Sequence, residues 1–525
     1  MFLAVLICFV VPPPLAGQTI DGKDEAALRA REAAAYEHLA GNRFHSAASE
    51  TIDVLYYGLD LRVSESTPRI RGSVTCTFRS LVSELASVDC DFDPAGTLTV
   101  DSVLIHGSPV NFERLPGILR ITLPTSLQTG DTLSVSTYYR GDPVATGFGS
   151  FVVSSQPDGT PWIWTLSEPY GARSWWPCKD HPSDKADSLD VWITCADTLT
   201  AASQGVLTEV HDNGDGTRTF RWRHRAPIAT YLVSLTVTSF VEFTHWYRYS
   251  DTDSLPVQNY VIPSPGGTDT VEAALFQVVD MLEYYSGIFG PYPFLDEKYG
   301  HAQFGWGGGM EHQTLTSLGS FGEGLLAHEL VHQWFGNMIT METWPHLWLN
   351  EGFATYGVAL YLEHRYGLEA YRSYMDVQMQ SARSAPGTLV VDDTTSIGNL
   401  FRGDRVYAKG ATVLHMLRHV TGDSLFFAAV KAYALDPRYR FGTASTADVQ
   451  GMFDETTGQS LGWFFDQWVW GEGFPTYAFS WSWEPQESGA QVRTTLSQTT
   501  SSSSPEFFVM PLDVRMYGAG IETTL

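Results

Sequence analysis

The residues with the clearest chemistry lie in EGLLAHELVHQWFGN, residues 323–337, where His328 and His332 stand four apart and Glu329 follows the first. On a helix this spacing projects both imidazoles from one face, within reach of a single zinc ion, while Glu329 can reach a water beside it. Gly336 and Asn337 suit a helix C-terminus. Glu351 follows in WLNEGFATYGVALYLEHRYG, where Glu351, Ala354, Thr355, Val358, Ala359 and Leu362 keep the spacing of one helical face. A carboxylate on such an inward face needs a positive partner, because burying it alone costs several kcal/mol. Two histidines and one carboxylate leave a fourth zinc position for water, as catalytic rather than structural sites do.

The elements that must position these residues follow three composition zones. Residues 51–250 hold short Val, Leu, Ile, Thr and Tyr runs broken by Gly, Pro, Asp and Ser, such as GILRITL and DTLSVSTYY, and form an expected β domain. Residues 251–472 turn helical: TVEAALFQVVDMLEYYSGIF sets Val271, Leu275, Val278, Val279 and Leu282 on one stripe. Residues 473–525 return to strand-like alternation, as in TYAFSWSWE, and read as the start of a further β domain. No fixed-period repeat interrupts this order.

Before residue 51 the reading is different. The apolar run FLAVLICFVV at residues 2–11 is too short to span a bilayer and precedes Ala16 and Gly17, so residues 1–17 are expected to be a secretory signal. Residues 18–50 then form a leader or peripheral helix, and the chain is expected to be exported. No later stretch qualifies as a transmembrane helix. With Cys8 lost in the signal, Cys76, Cys90, Cys178 and Cys195 remain; proximity favours Cys76–Cys90 and Cys178–Cys195, with other pairings or none still open.

Composition narrows the partners. The 525 residues are 43% hydrophobic and 13% aromatic, enough for large cores throughout, and the net charge of −27 offers no basic surface for nucleic acid. Oligomeric state leaves no trace in the sequence.

Together these motifs resemble the aminopeptidase N and leukotriene hydrolase family of gluzincin metallopeptidases, which carries H-E-x-x-H, eighteen residues, then the glutamate of N-E-G-F-A. The likeness extends to Gly308-Gly309-Met310-Glu311-His312, to VYAKGATVLHML around Tyr407 and to ARSWWPCKDHPSDKA at residues 172–186. It implies a multidomain α+β architecture: an N-terminal β saddle, a thermolysin-like catalytic domain and a partial C-terminal β-sandwich. It implies one zinc per chain on His328, His332 and Glu351, with Glu329 as general base and Tyr407 stabilising the oxyanion. By the same resemblance the strand Gly308, Gly309, Met310 and Glu311 lines the substrate cleft, and Glu311 with Glu168 binds the α-ammonium of a peptide. The implied activity is removal of residues from the free amino end of peptides.

Two departures from the pattern stand out. His312 replaces the usual Asn, which leaves open how the strand grips the first peptide carbonyl. TWPHLWLNEGF lacks the Asp that relatives place near His346, so a zinc histidine must be oriented by another group. Rival readings are an endopeptidase of thermolysin type, a lipid epoxide hydrolase on the same zinc site, and an inactive binding or scaffold relative.

Overall fold

The computed structural model describes residues 50–524 except 265–266, 395, 487–489, 504 and 519–520. The expected signal and almost all of the leader lie outside the described residues.

The N-terminal part is built on Ile52–Val63, whose sequence buries one side and leaves the other half-buried, with Asp60 and Arg62 exposed. This strand runs parallel to Ser188–Ala196 and antiparallel to Ile70–Ser80, at the centre of an eight-stranded sheet. A three-stranded sheet (Leu85–Asp91, Ile118–Leu127, Phe112–Leu115) and a four-stranded one (Thr200–Ser203, Leu235–Thr238, Pro161–Leu166, Ser150–Ser155) complete it. Fully buried Trp175, Trp176 and Trp222 fill the space between, in a core continuous with the rest of the chain. All four described cysteines are buried and free, so neither Cys76–Cys90 nor Cys178–Cys195 forms. Here the thiols act as small apolar side chains, and burial raises the pKa of each.

The catalytic part starts from a five-stranded sheet in the order Val241–Arg248, Ser254–Val261, Tyr299–Gln303, Thr316–Leu318 and Gly309–Met310. Its first strand lies before the 250/251 boundary, because pairing across a tight turn binds Val241–Arg248 to Ser254–Val261. Helix Asp269–Phe289 buries Leu275, Val278, Met281, Leu282, Tyr285 and Phe289, while Val271 and Val279 are half-buried. Phe289 packs edge-on against Trp334 and Phe335, which ties this helix to the histidine motif.

Two helices carry the metal motif: a histidine helix, Glu323–Val331, and a glutamate helix, Trp348–Tyr366. The first ends earlier than its sequence implies. His332 keeps helical dihedrals at the cap, and tight turns continue to Gly336, whose φ of 133° only glycine adopts readily. In the second, every residue from Trp348 to Leu362 is buried, so Glu351 sits in a helix enclosed on all sides rather than on one inward stripe. Gly357 permits this packing, since a Cβ there would meet the Val331 side chain at 2.5 Å. Beyond residue 472 the described chain forms two hairpins, Pro475–Pro485 with Ala490–Thr500 and Arg515–Gly518 with Ile521–Thr524.

Candidate metal centre

His328 Nε2 and His332 Nε2 stand 3.0 Å apart, and Glu351 Oε2 lies 3.2 Å from the first and 3.4 Å from the second. Ligands on one tetrahedral zinc are separated by about 3.4 Å when each bond is about 2.1 Å, so this triangle fits the ion. The donor set, two imidazoles and a carboxylate, fits its chemistry as well.

The electrostatics also point to a cation. Burial opposes a charge on His332, yet Glu311, Glu351 and Glu329 outweigh it and pull the imidazole pKa up. Burial likewise opposes ionisation of Glu351, yet the two imidazoles hold its carboxyl well below the usual range. A pocket that makes imidazolium favourable is short of positive charge, and a divalent ion would supply it. His332 Nδ1 lies 3.1 Å from the Phe335 carbonyl, which orients the ring and fills the role that no Asp near His346 provides. His346 itself bonds Thr446 Oγ1 at 2.9 Å.

Glu329 projects beside the triangle, and its carboxylate, His332 and Glu311 present ligand atoms within 4.8 Å of one another. Gly309 passes against it so closely that only a glycine leaves room for the carboxylate. Met310 is buried and Gly308 accepts a bond from Gly319 N at 2.7 Å, fixing this edge strand. Tyr407 arrives from a π-helical turn, Gly403–Lys409, with its ring at 19° to the His328 ring and 6.0 Å between centroids. Such a turn inserts one residue into the helical register and is common at functional sites.

Glu168, from the N-terminal part, completes an acidic cluster in which it, Glu311 and Glu351 offer carboxylate oxygens within 4.8 Å of one another. Both Glu168 and Glu311 are buried. Burial raises the Glu311 carboxyl above its ordinary pKa, and Glu311 Oε1 has no hydrogen-bond partner among the described residues. His312 is fully enclosed, with Nδ1 2.8 Å from Ser317 Oγ, so its ring is committed to the protein interior.

Sequence reasoning missed the residues that hold Glu311. Asn337 Nδ2 donates to the Glu311 carbonyl at 2.6 Å, and Gln333 Nε2 does so at 3.4 Å. Their signal was available: polar side chains inside the otherwise apolar QWFGN must find partners when buried. Tyr231 was also missed. Its hydroxyl accepts from Asn350 Nδ2 at 3.1 Å, one residue before Glu351.

Comparison with known proteins agrees with this geometry. Residues 54–232 match the peptidase M1 N-terminal domain and residues 320–468 the peptidase family M1 domain, together more than half of the chain. Among curated relatives, glutamyl aminopeptidase of Bos taurus is 30% identical, with 59% of this chain and 34% of the relative covered. Aminopeptidase M1 of Arabidopsis thaliana is 27% identical, with 59% and 37% covered. The chain spans about a third to a half of the length of the curated relatives it matches. Among solved structures, a mutant M1 zinc metallopeptidase from Deinococcus radiodurans bound to a Tyr-Ser-Ala substrate matches with TM-score 0.69 and 26% identity. It covers 82% of this chain and 97% of its own. A two-domain M1 zinc metallopeptidase bound to L-arginine gives TM-score 0.71 at 27% identity, with the same coverage. With the metal triad, the acidic cluster and the matches to both domain models in agreement, the chain belongs to the peptidase M1 family of zinc metallopeptidases.

Proposed function

We propose that this protein is a zinc-dependent aminopeptidase, hydrolysing the first peptide bond of peptides with a free amino terminus. The observation that carries the reading is the buried acidic pair Glu168 and Glu311 beside the metal triad. Glu311 Oε1, buried and without a hydrogen-bond partner among the described residues, rewards an ammonium ion strongly and offers nothing to an internal peptide bond. The relatives named aminopeptidases, and the tripeptide in the Deinococcus structure, support the same substrate class.

Each residue then has a stated task. Glu311 and Glu168 take the ammonium, which sets the first carbonyl beside His328, His332 and Glu351. Zinc held by those three residues supplies Lewis-acid polarisation and a lowered pKa for water. Glu329 accepts the proton from the attacking water and returns it to the leaving amine. The Tyr407 hydroxyl donates to the oxyanion as charge develops there.

Paired peptides that differ only by N-acetylation test this reading. Cleavage of the free peptide alone is expected. Equal cleavage of both would mean an endopeptidase, and zinc binding without cleavage of either would mean a scaffold. Export is part of the same proposal and rests on the apolar run at residues 2–11 with Ala16 and Gly17 after it. Amino-terminal sequencing of the protein from its native host is expected to begin at Gln18; an intact Met1 in an uncleaved intracellular protein would overturn it.

A further inference from the structure

Lys185 lies in the stretch at residues 172–186 that marks the family resemblance, yet none of the chemistry above uses it. The residue is 8% exposed, and no carboxylate pairs with it among the described residues. Its amine donates to the carbonyls of Asn337 at 2.7 Å and Met338 at 3.0 Å, with the Gly442 carbonyl at 3.5 Å. The backbone behind it is fixed, because Ala186 and Ile228 exchange both their N–H bonds. A methionine would fill the same space without the desolvation cost of an amine, so packing alone does not account for lysine here.

What lies beyond those carbonyls gives the lysine a task. Asn337 is the residue whose side chain holds the Glu311 carbonyl, and Gln333, which donates to the same carbonyl, also accepts from Thr314 N at 3.0 Å. A second buried lysine returns the grip: Lys298 Nζ, from the catalytic part, donates to Ser203 O at 3.2 Å in the N-terminal part, and Gly205 N donates to Thr314 Oγ1 at 2.9 Å. The part of the chain that carries Glu168 is thus fastened, through backbone and amide bonds, to the loop that carries Glu311.

We infer that Lys185 is a positioning residue for amine recognition: through Asn337 it sets Glu311 against Glu168, so that both carboxylates meet one ammonium. This rests on the aminopeptidase reading above.

The test compares wild type with Lys185→Met and Lys185→Arg on an aminoacyl anilide, with inhibition by the free amino acid and zinc content measured alongside. Lys185→Met is expected to raise both KM and the inhibition constant about tenfold, the loss of one buried hydrogen bond, with kcat within about twofold. Zinc should remain at one per chain, and Lys185→Arg should recover most of the loss. An unchanged KM overturns the inference. So does a joint fall of kcat, affinity and zinc that arginine fails to rescue, which marks a merely structural role. If Lys185→Met does not fold, Asn337→Asp, which turns the donor facing Glu311 into an acceptor, must give the same KM signature; a wild-type KM there also overturns it. Wild type that cleaves acetylated and free peptides equally removes the amine reading itself, a result distinct from failure of Lys185 alone.

Discussion

Gly309 and Glu329 are packed against each other so that a Cβ on the glycine would stand 2.6 Å from the carboxylate carbon. The edge strand and the Glu329 carboxylate, the proposed general base, therefore share one space. Gly309→Ala is predicted to push Glu329 out of line and lower kcat about a hundredfold, a typical cost of misplacing a catalytic group by an ångström. Zinc content should stay at one per chain. Wild-type kcat in this variant would show that Glu329 is free to move and is not held for proton transfer.

Tyr407 reaches the site from the π-helical turn, with its ring beside His328. Removing its hydroxyl in Tyr407→Phe should cost about two to three orders of magnitude in kcat, with KM little changed, since an oxyanion donor acts only in the transition state. A rise in KM with kcat intact would reassign the tyrosine to substrate binding.

Glu168 and Glu311 come from different parts of the chain and meet within 4.8 Å. Glu168→Gln and Glu311→Gln should each lower kcat/KM on free peptides at least about thirtyfold, the equivalent of ~2 kcal/mol for a buried charged contact. The preference for free over acetylated peptide should shrink in parallel. A variant that keeps the full preference would place its carboxylate outside the amine pocket.

Acid should destabilise the fold through buried neutral histidines. Burial pushes His301 down to about 3 and His415 to about 4, against an ordinary value of 6.5. His415 Nδ1 lies 2.6 Å from the Tyr371 hydroxyl, so the buried ring already has a polar partner. Between pH 6.5 and those lowered values the unfolded chain binds protons that the folded chain refuses. Their contribution is therefore fully present above pH 6.5 and is lost as pH falls, by up to about 1.4 kcal/mol per unit for each group. Urea unfolding at stepwise pH should show this slope, and His415→Gln should flatten it. An identical slope in the variant would contradict the assignment.

The clustering of His328, His332 and Glu351 was legible because helical periodicity ties spacing to direction: the two histidines share a face at four residues, and Glu351 stood on a recognisable helix. The β–helix–β order was legible from local alternation in the same way. Tertiary proximity was not. Lys185 and Asn337 are far apart in sequence and meet only because strands and turns from two parts of the chain pack together, and no local pattern encodes that meeting. The four cysteines misled for the converse reason. Closeness along the chain favoured pairing, whereas the fold leaves all four thiols buried and free. The π-helical turn at Tyr407 reads as ordinary helix in VYAKGATVLHML, since one inserted residue barely alters the apolar period.

The most direct test is the zinc stoichiometry of purified wild type and Glu351→Ala, measured by elemental analysis after dialysis against a weak chelator. One tightly held zinc per chain in wild type, and its loss in the variant, is the predicted result. A wild type that holds no zinc, or a variant that holds it as tightly, would contradict convergence of His328, His332 and Glu351 on one ion.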